Sequence, residues 1–289
     1  MKIESSELII NTDGSIYHLN LLPEDLASTI ITVGDPDRVA SVTKHFDTIE
    51  LTKQKREFKT VTGVYKGKRI TVISTGIGTD NIDIVLNELD ALVNIDFNSR
   101  TIKNTHTSLD IIRIGTSGTI QNNIPLDSFL ISEKAIGFDS LMHFYKSDHV
   151  LEKTISDAFV KQTNWASEKS TPYVVTFDAT LGSKFKSDKI ISGFTATNVG
   201  FYGPQSRVLR LDISDEFLNE KLADFSFEGS CITNLEMETA GIYGMAKLLG
   251  HKAVSLNAIL ANRATGQFSE NPTALVEKLI TFTLEKIVS

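Results

Sequence analysis

The recurring unit of this chain is a short apolar run that ends in glycine and gives way to a helical pattern. Thr29-Ile30-Ile31-Thr32-Val33 runs into Gly34-Asp35-Pro36-Asp37-Arg38. There Asp35 suits an N-cap and Pro36 the first helical turn, so the pattern predicts a helix from 36 to about 46. Arg69 to Thr75 runs into Gly76-Ile77-Gly78, and an amphipathic helix follows through about Val93. Lys66-Gly67-Lys68, between two alternating stretches, has the chemistry of a hairpin turn. Leu109 to Ile114 runs into Gly115-Thr116-Ser117-Gly118. Further strands are expected over Asp127–Ser132, Lys134–Gly137, Thr171–Thr176 and Ala253–Leu260, with helices over 149–162 and from Thr273 to about Val288. The polar stretch 94–108 reads as a surface excursion. Strands that alternate with helices, with hairpins between, predict an α/β fold: a single domain over 1–289 with a mixed twisted β-sheet flanked by helices. In such a sheet a ligand sits outside the carboxyl ends of the strands.

Bulk properties narrow the functional classes. Lys and Arg number 29 against 36 Asp and Glu, a net charge of −7, which disfavours coating nucleic acid or an anionic membrane. Cys231 is the single cysteine, so neither an internal disulfide nor a cysteine-rich zinc site can form. The charged start, Met1 to Glu7, has no apolar signal region, and no apolar run reaches the ~18 residues of a membrane span. A soluble, cytoplasmic protein is expected.

Several polar residues are poor packing material where they stand. Arg113 lies inside an apolar strand, and a buried charge must meet a protein carboxylate or a bound anion. The glycines and hydroxyls that follow it favour the anion. Gly34 and Arg38 at a strand-to-helix turn make a second anion-binding feature. In Asn234-Leu235-Glu236-Met237-Glu238-Thr239-Ala240, two acids precede the small and apolar run Gly241 to Leu249, which Gly250 ends. That places Glu238 at the mouth of a buried helix, where a carboxylate stays ionised and accepts from the paired hydroxyls of a ribose. The loop Asn198 to Arg207 offers Phe201 to stack on a flat heterocycle and Gln205 and Arg207 to bond its edge. His18 alone reads as a packing residue. No lysine follows the glycines as in a Walker loop, and no dinucleotide fingerprint is present.

Taken together and in this order, these stretches resemble the nucleoside phosphorylase family, most closely its uridine phosphorylase branch. The matching residues are His18, Gly34 to Arg38, Arg56-Glu57-Phe58, Ser74 to Gly78, Arg113 to Thr116, Phe201 with Gln205 and Arg207, Glu236 to Glu238, and Asn262-Arg263. The resemblance implies reversible phosphorolysis, in which uridine and inorganic phosphate give uracil and ribose 1-phosphate, with no cofactor. By matching positions, phosphate would be bound by Gly34, Arg38, Arg113 and Thr116, joined by Arg56 from a neighbouring subunit. Met237 and Glu238 would hold the ribose, with His18 of the neighbour at its 5′-hydroxyl. Phe201, Gln205, Arg207 and Arg263 would receive the base. Glu57 and Ser74 match a position near a monovalent-cation site, potassium for instance, between subunits. The implied partners are nucleoside, phosphate and further copies of the chain, as dimers with shared sites and a hexamer built as a trimer of dimers. Nucleic acid and membrane are not expected partners. The purine branch would place an aspartate in the loop that here reads Asn262-Arg263, which points to a pyrimidine base and pyrimidine salvage. Two departures from the family are the order Gly203-Pro204 and the stretch 94–108. A purine nucleoside phosphorylase, a nucleosidase of the same fold and a non-catalytic nucleoside-binding protein are the alternative readings.

Overall fold

The computed structural model describes residues 2–289. In chain order it runs β1 (Thr29–Val33), α1 (Pro36–Thr43), β2 (Thr48–Lys55), β3 (Phe58–Tyr65), β4 (Lys68–Ser74), α2 (Thr79–Asn94), β5 (Ile95–Asp96) and β6 (Thr101–Ile102). Next come β7 (Asp110–Thr119), β8 (Phe129–Gly137), α3 (Lys153–Thr163), β9 (Tyr173–Thr176), α4 (Ala179–Ser183) and β10 (Ile190–Thr197). The chain closes with α5 (Leu218–Asp224), β11 (Ser226–Phe227), β12 (Ser230–Glu236), α6 (Thr239–Leu248), β13 (Lys252–Asn262), β14 (Gln267–Phe268) and α7 (Pro272–Val288).

Local chemistry explains most boundaries. Asp35 accepts the N–H of Asp37 and Pro36 opens α1, as expected. That helix stops at Thr43 rather than about 46, because the N–H groups of His45 and Phe46 reach back only three residues and tighten the turn. Lys66 and Gly67 both have positive φ, which suits the two-residue turn between β3 and β4. The expected helix over 149–162 begins later, at Lys153, since the Glu152 N–H is drawn to the Val174 carbonyl. The stretches 127–132 and 134–137 form one strand, β8, and β10 follows it through an irregularity at Gly193/Phe194. The excursion 94–108 folds back as the β5–β6 pair and holds the N-terminal segment: Arg100 donates to the carbonyls of Ile3, Glu4 and Leu8.

Twelve strands form one mixed sheet. β4, β1, β7 and β13 are mutually parallel, and so are β8, β10 and β12. The two sets meet antiparallel at β13–β8 and at β12–β7. Because β12 pairs back onto β7, the strands β7, β13, β8, β10 and β12 close into a ring. One apolar cluster packs α2 and α6 against the sheet around Ile82, Leu86, Ile242 and Tyr243. Another packs α1 and α7 around Val39, Val42, Leu279 and Ile280 on the opposite face of the same strands, where Ile31, Ile112 and Val254 alternate with Ile30, Ile111 and Ala253 of the first cluster. Each such side chain contributes about 1.5–3 kcal/mol when fully buried. No helix among the described residues is long and apolar enough to cross a membrane.

Candidate active site

Two strands approach the same edge of β7 from opposite directions. β1 runs parallel to it, with Thr32 opposite Arg113, while β12 runs antiparallel, with Leu235 opposite Gly118. Their carboxyl ends therefore converge on residues 114–117, and the loops that leave them wall a cavity of about 780 Å³. Gly34, Arg38, Arg113, Thr116, Phe201, Gln205, Arg207, Met237 and Glu238 all line it, together with Glu57. Nine of the residues assigned to phosphate, ribose or base thus share one cavity, outside the carboxyl ends of the strands.

The two acids before α6 have different tasks. Glu236 accepts the N–H groups of Glu238 and Thr239 and the Thr197 hydroxyl, so it caps the helix. Glu238, only 5% exposed, accepts the Gly78 N–H through Oε1 at 2.9 Å and Arg113 Nη2 through Oε2 at 2.6 Å. A carboxylate has about four acceptor sites, so Glu238 keeps capacity for ligand hydroxyls. Burial raises its pKa; Arg113 opposes that rise and the like charge of Glu236 adds to it.

Arg113 differs from the sequence expectation. It meets protein carboxylates, Glu238 at 2.6 Å and Glu236 at 3.1 Å, and donates to Asn257 Oδ1 at 2.9 Å. Of the two partners the sequence leaves open for Arg113, the carboxylate is present, because the β12–α6 junction brings both acids beside the strand. Burial works against the charge, but the two acids outweigh it and raise the pKa. Its guanidinium folds back over Gly115, where a Cβ would lie 1.9 Å from Nη1. Arg38 is the opposite case. It donates to the Ile114 carbonyl at 3.4 Å, and no carboxylate pairs with it among the described residues. Burial lowers its pKa, and so does neighbouring Arg113. Asp35 and Glu238 act in the other direction without bonding to it, so the Arg38 guanidinium sits half-buried, beside Gly34 and a helix start, with no carboxylate in contact.

On the far side, Arg207 stacks over the Phe201 ring at 3.8 Å and donates to Gln205 Oε1 at 2.6 Å and to the Phe201 carbonyl at 2.8 Å. The Gln205 amide donates to the Gly200 carbonyl. Burial, then the charge of Arg263, lowers the Arg207 pKa to about 10.

Residues 28–287 match the family described as the Phosphorylase superfamily. The chain belongs to the phosphorylase superfamily. Among its relatives, a uridine phosphorylase of Thermococcus kodakarensis is 29% identical over 95% of this chain and 88% of its own length. A DeoD-type purine nucleoside phosphorylase of Bacillus subtilis is 26% identical over 86% of this chain and 88% of its own. A solved Trypanosoma brucei nucleoside phosphorylase, described as showing uridine phosphorylase activity, superposes with a TM-score of 0.84. It shares 26% identity and covers 97% of this chain and 99% of that one.

Within this superfamily fold, four assigned residues stand apart from the cavity wall. His18 pairs with Glu88, Nδ1 to Oε1 at 2.6 Å, and meets Phe58 edge-on. Arg56, exposed and with positive φ, sits at the β2–β3 turn. Both had been assigned to a neighbouring subunit's site. Arg263 donates to the carbonyls of Gln205 and Ser206, so its guanidinium braces the base-side loop. The strand carries it there, since its own N–H is bonded to the Thr119 carbonyl. Ser74 is fully buried, donates to the Glu57 carbonyl at 2.5 Å and accepts the Lys59 N–H at 2.8 Å. The Glu57 side chain lines the cavity, while its carbonyl is taken by Ser74. Asn262 lies off the cavity wall, its amide spent on the carbonyls of Gln121 and Ile124 and the N–H groups of Ala264 and Thr265.

Phe268 on the cavity wall and Asn257 behind it are not among the residues expected from the sequence. Asn257 carried a signal, because Ser255 and Asn257 alternate with apolar residues inside a buried strand and so mark one polar face.

Proposed function

We propose that this protein is a uridine phosphorylase, a pentosyltransferase that splits uridine with inorganic phosphate, reversibly, into uracil and ribose 1-phosphate. The observation that carries the reading is one cavity holding an unpaired Arg38 guanidinium, an acceptor carboxylate at Glu238 and an aromatic, amide-bearing loop at Phe201 and Gln205. Its uridine-phosphorylase relatives support it. Phosphate, held by Gly34, Arg38, Arg113 and Thr116, attacks C1′ of the ribose. The C1′–O bond forms as the C1′–N1 bond breaks, and the electron pair of that bond leaves on the uracil ring, which takes a proton from solvent. Positive charge growing on the sugar is stabilised by phosphate, and negative charge growing on the base by the polar groups of the 200–207 loop. Arg113 then has two roles, since it balances Glu238 and adds a donor to the oxyanion.

On this reading His18 and Arg56, which stand off the cavity wall of their own chain, serve the site of a second copy, and the protein is a dimer with shared sites and a hexamer built from dimers. Glu57 of each copy is the group that would hold a monovalent cation such as potassium. No other cofactor enters the chemistry. A cytoplasmic role in pyrimidine salvage follows from the substrate. The purine alternative keeps its relatives as support, but the Asn262 amide, spent on main-chain groups, leaves no acid in that loop to protonate a purine.

The deciding experiment follows ultraviolet absorbance with uridine, thymidine, inosine and adenosine, each with and without phosphate. Uridine cleavage that depends on phosphate is expected. Cleavage of inosine alone would move the assignment to purines, and cleavage without phosphate would make the protein a nucleosidase.

A further inference from the structure

The interior of the five-strand ring is polar, and its hydrogen bonds form one chain with a fixed direction. Arg113 can only donate, so Asn257 must turn Oδ1 toward Nη1, at 2.9 Å. The Asn257 amide nitrogen is thereby aimed at Ser132 Oγ, 3.2 Å away. Ser132, having accepted there, gives its own proton to Thr195 Oγ1 at 2.5 Å, and Thr195 donates to Asn234 Oδ1 at 2.9 Å. Asn234 is then oriented to donate Nδ2 to Ser117 Oγ at 3.0 Å. Every bond between Arg113 and Ser117 runs one way, and each strand of the ring supplies a link.

Ser117 is the last link, 8% exposed and on the cavity wall. It accepts from Asn234 and donates to no protein group among the described residues. It also shares a face of β7 with Arg113, whose guanidinium folds over the intervening Gly115. We propose that the Ser117 hydroxyl donates to an acceptor oxygen of the bound ligand, and that Asn257 and Asn234 are positioning residues that keep its proton pointed into the cavity. This rests on the phosphorylase reading for the nature of the ligand, an oxygen of phosphate or of uridine.

The chain can be reversed with little change of shape. Asn257→Asp still accepts from Arg113 but cannot donate to Ser132, so Ser132 turns its proton toward the new carboxylate and Thr195 turns toward Ser132. Asn234 then flips, the Thr233 hydroxyl keeping the Phe194 carbonyl in place of Asn234 Oδ1, and draws the Ser117 proton to itself. Asn234→Asp has the same effect from the other end.

The test is calorimetric titration of wild type and variants with inorganic phosphate and with uridine, each alone, so that binding is read without turnover. Ser117→Ala is expected to weaken one of the two roughly tenfold, the loss of one hydrogen bond, and Ser117→Thr to retain it. Whichever titration responds identifies the oxygen. Asn257→Asp and Asn234→Asp should weaken the same ligand by a similar factor, and adding either to Ser117→Ala should cause no further loss. A side chain with only a structural role would add its effect in that double variant. Unchanged affinity for both ligands in Ser117→Ala, or additive losses in the double variants, would overturn the proposal. Should Asn257→Asp not fold, Asn234→Asp carries the same comparison. Wild-type protein that binds these ligands but does not cleave uridine would sink the phosphorylase reading and leave this one standing.

Discussion

Arg113 Nη2 lies 2.6 Å from Oε2 of Glu238, so the charge expected to face an anion is held by the carboxylate expected to face a sugar. The pair is buried on both sides, with Glu236 3.1 Å away as a second acid on the same nitrogen. Breaking a buried pair by removing one partner typically costs about 3–5 kcal/mol, because the other charge stays behind.

Glu238→Ala should therefore lower the melting temperature markedly and abolish turnover. Phosphate should recover more stability in this variant than in wild type, since the anion then pairs with an Arg113 left with Glu236 as its one acid. Melting curves with and without phosphate test this. An equal phosphate effect in both proteins would separate Arg113 from the anion.

Arg38→Met should behave in the reverse way. Arg38 is half-buried with no carboxylate partner, so removing it relieves desolvation and should leave the melting temperature unchanged or higher. Losing a charged hydrogen bond, about 1.5–3 kcal/mol, should raise the KM for phosphate roughly tenfold or more while uridine binding holds. Separate KM measurements for the two substrates decide it.

These two arginines mark how far the sequence could be read. Their presence near glycine loops was legible, as were β1, the β3–β4 hairpin, α2 and the Glu238 helix mouth, because each is fixed by chemistry within a few residues. What Arg113 touches was not legible, since its partners lie more than a hundred positions away and depend on β12 closing the ring onto β7. Arg263 is alike in this: only the fold shows that it donates to the loop carbonyls at 205 and 206. The short helices α4 and α5 lack the periodic length that reveals a helix in a sequence.

Gly115→Ala should act on Arg113 without touching either carboxylate. A Cβ there would lie 1.9 Å from Nη1, so the guanidinium must leave its fold over the strand. Activity should fall by at least about tenfold, the effect of misplacing a charged group by an ångström or so. A crystal structure or kinetics showing Arg113 and turnover undisturbed would mean that this fold-back is dispensable.

Glu238 also sets a pH dependence. Its carboxyl is shifted upward by burial, so the folded protein binds that proton more readily than the unfolded chain. Its contribution to stability accordingly falls as pH rises from the ordinary glutamate value through the raised one. Ribose binding needs the ionised form, so kcat/KM should rise through the same window, above the ordinary carboxylate range. Glu236→Gln removes a like charge and should move that acid limb downward. Comparing pH profiles of wild type, Glu236→Gln and Glu238→Gln checks both signs.

The base side yields the last prediction. Arg207 covers the Phe201 ring at 3.8 Å, the face on which a flat base would stack, and is tethered there by Gln205 Oε1 at 2.6 Å. A base that stacks on Phe201 must first displace that guanidinium. The amide tether, a hydrogen bond to a charged group, is worth about 1.5–3 kcal/mol, and a carboxylate in its place makes it a full ion pair. Gln205→Glu should therefore hold Arg207 on the ring and raise the uridine KM roughly tenfold while the phosphate KM stays put. Phe201→Leu removes the stacking face instead, and should weaken uridine without strengthening the tether. An unchanged uridine KM in Gln205→Glu would mean that the base binds with Arg207 still in place.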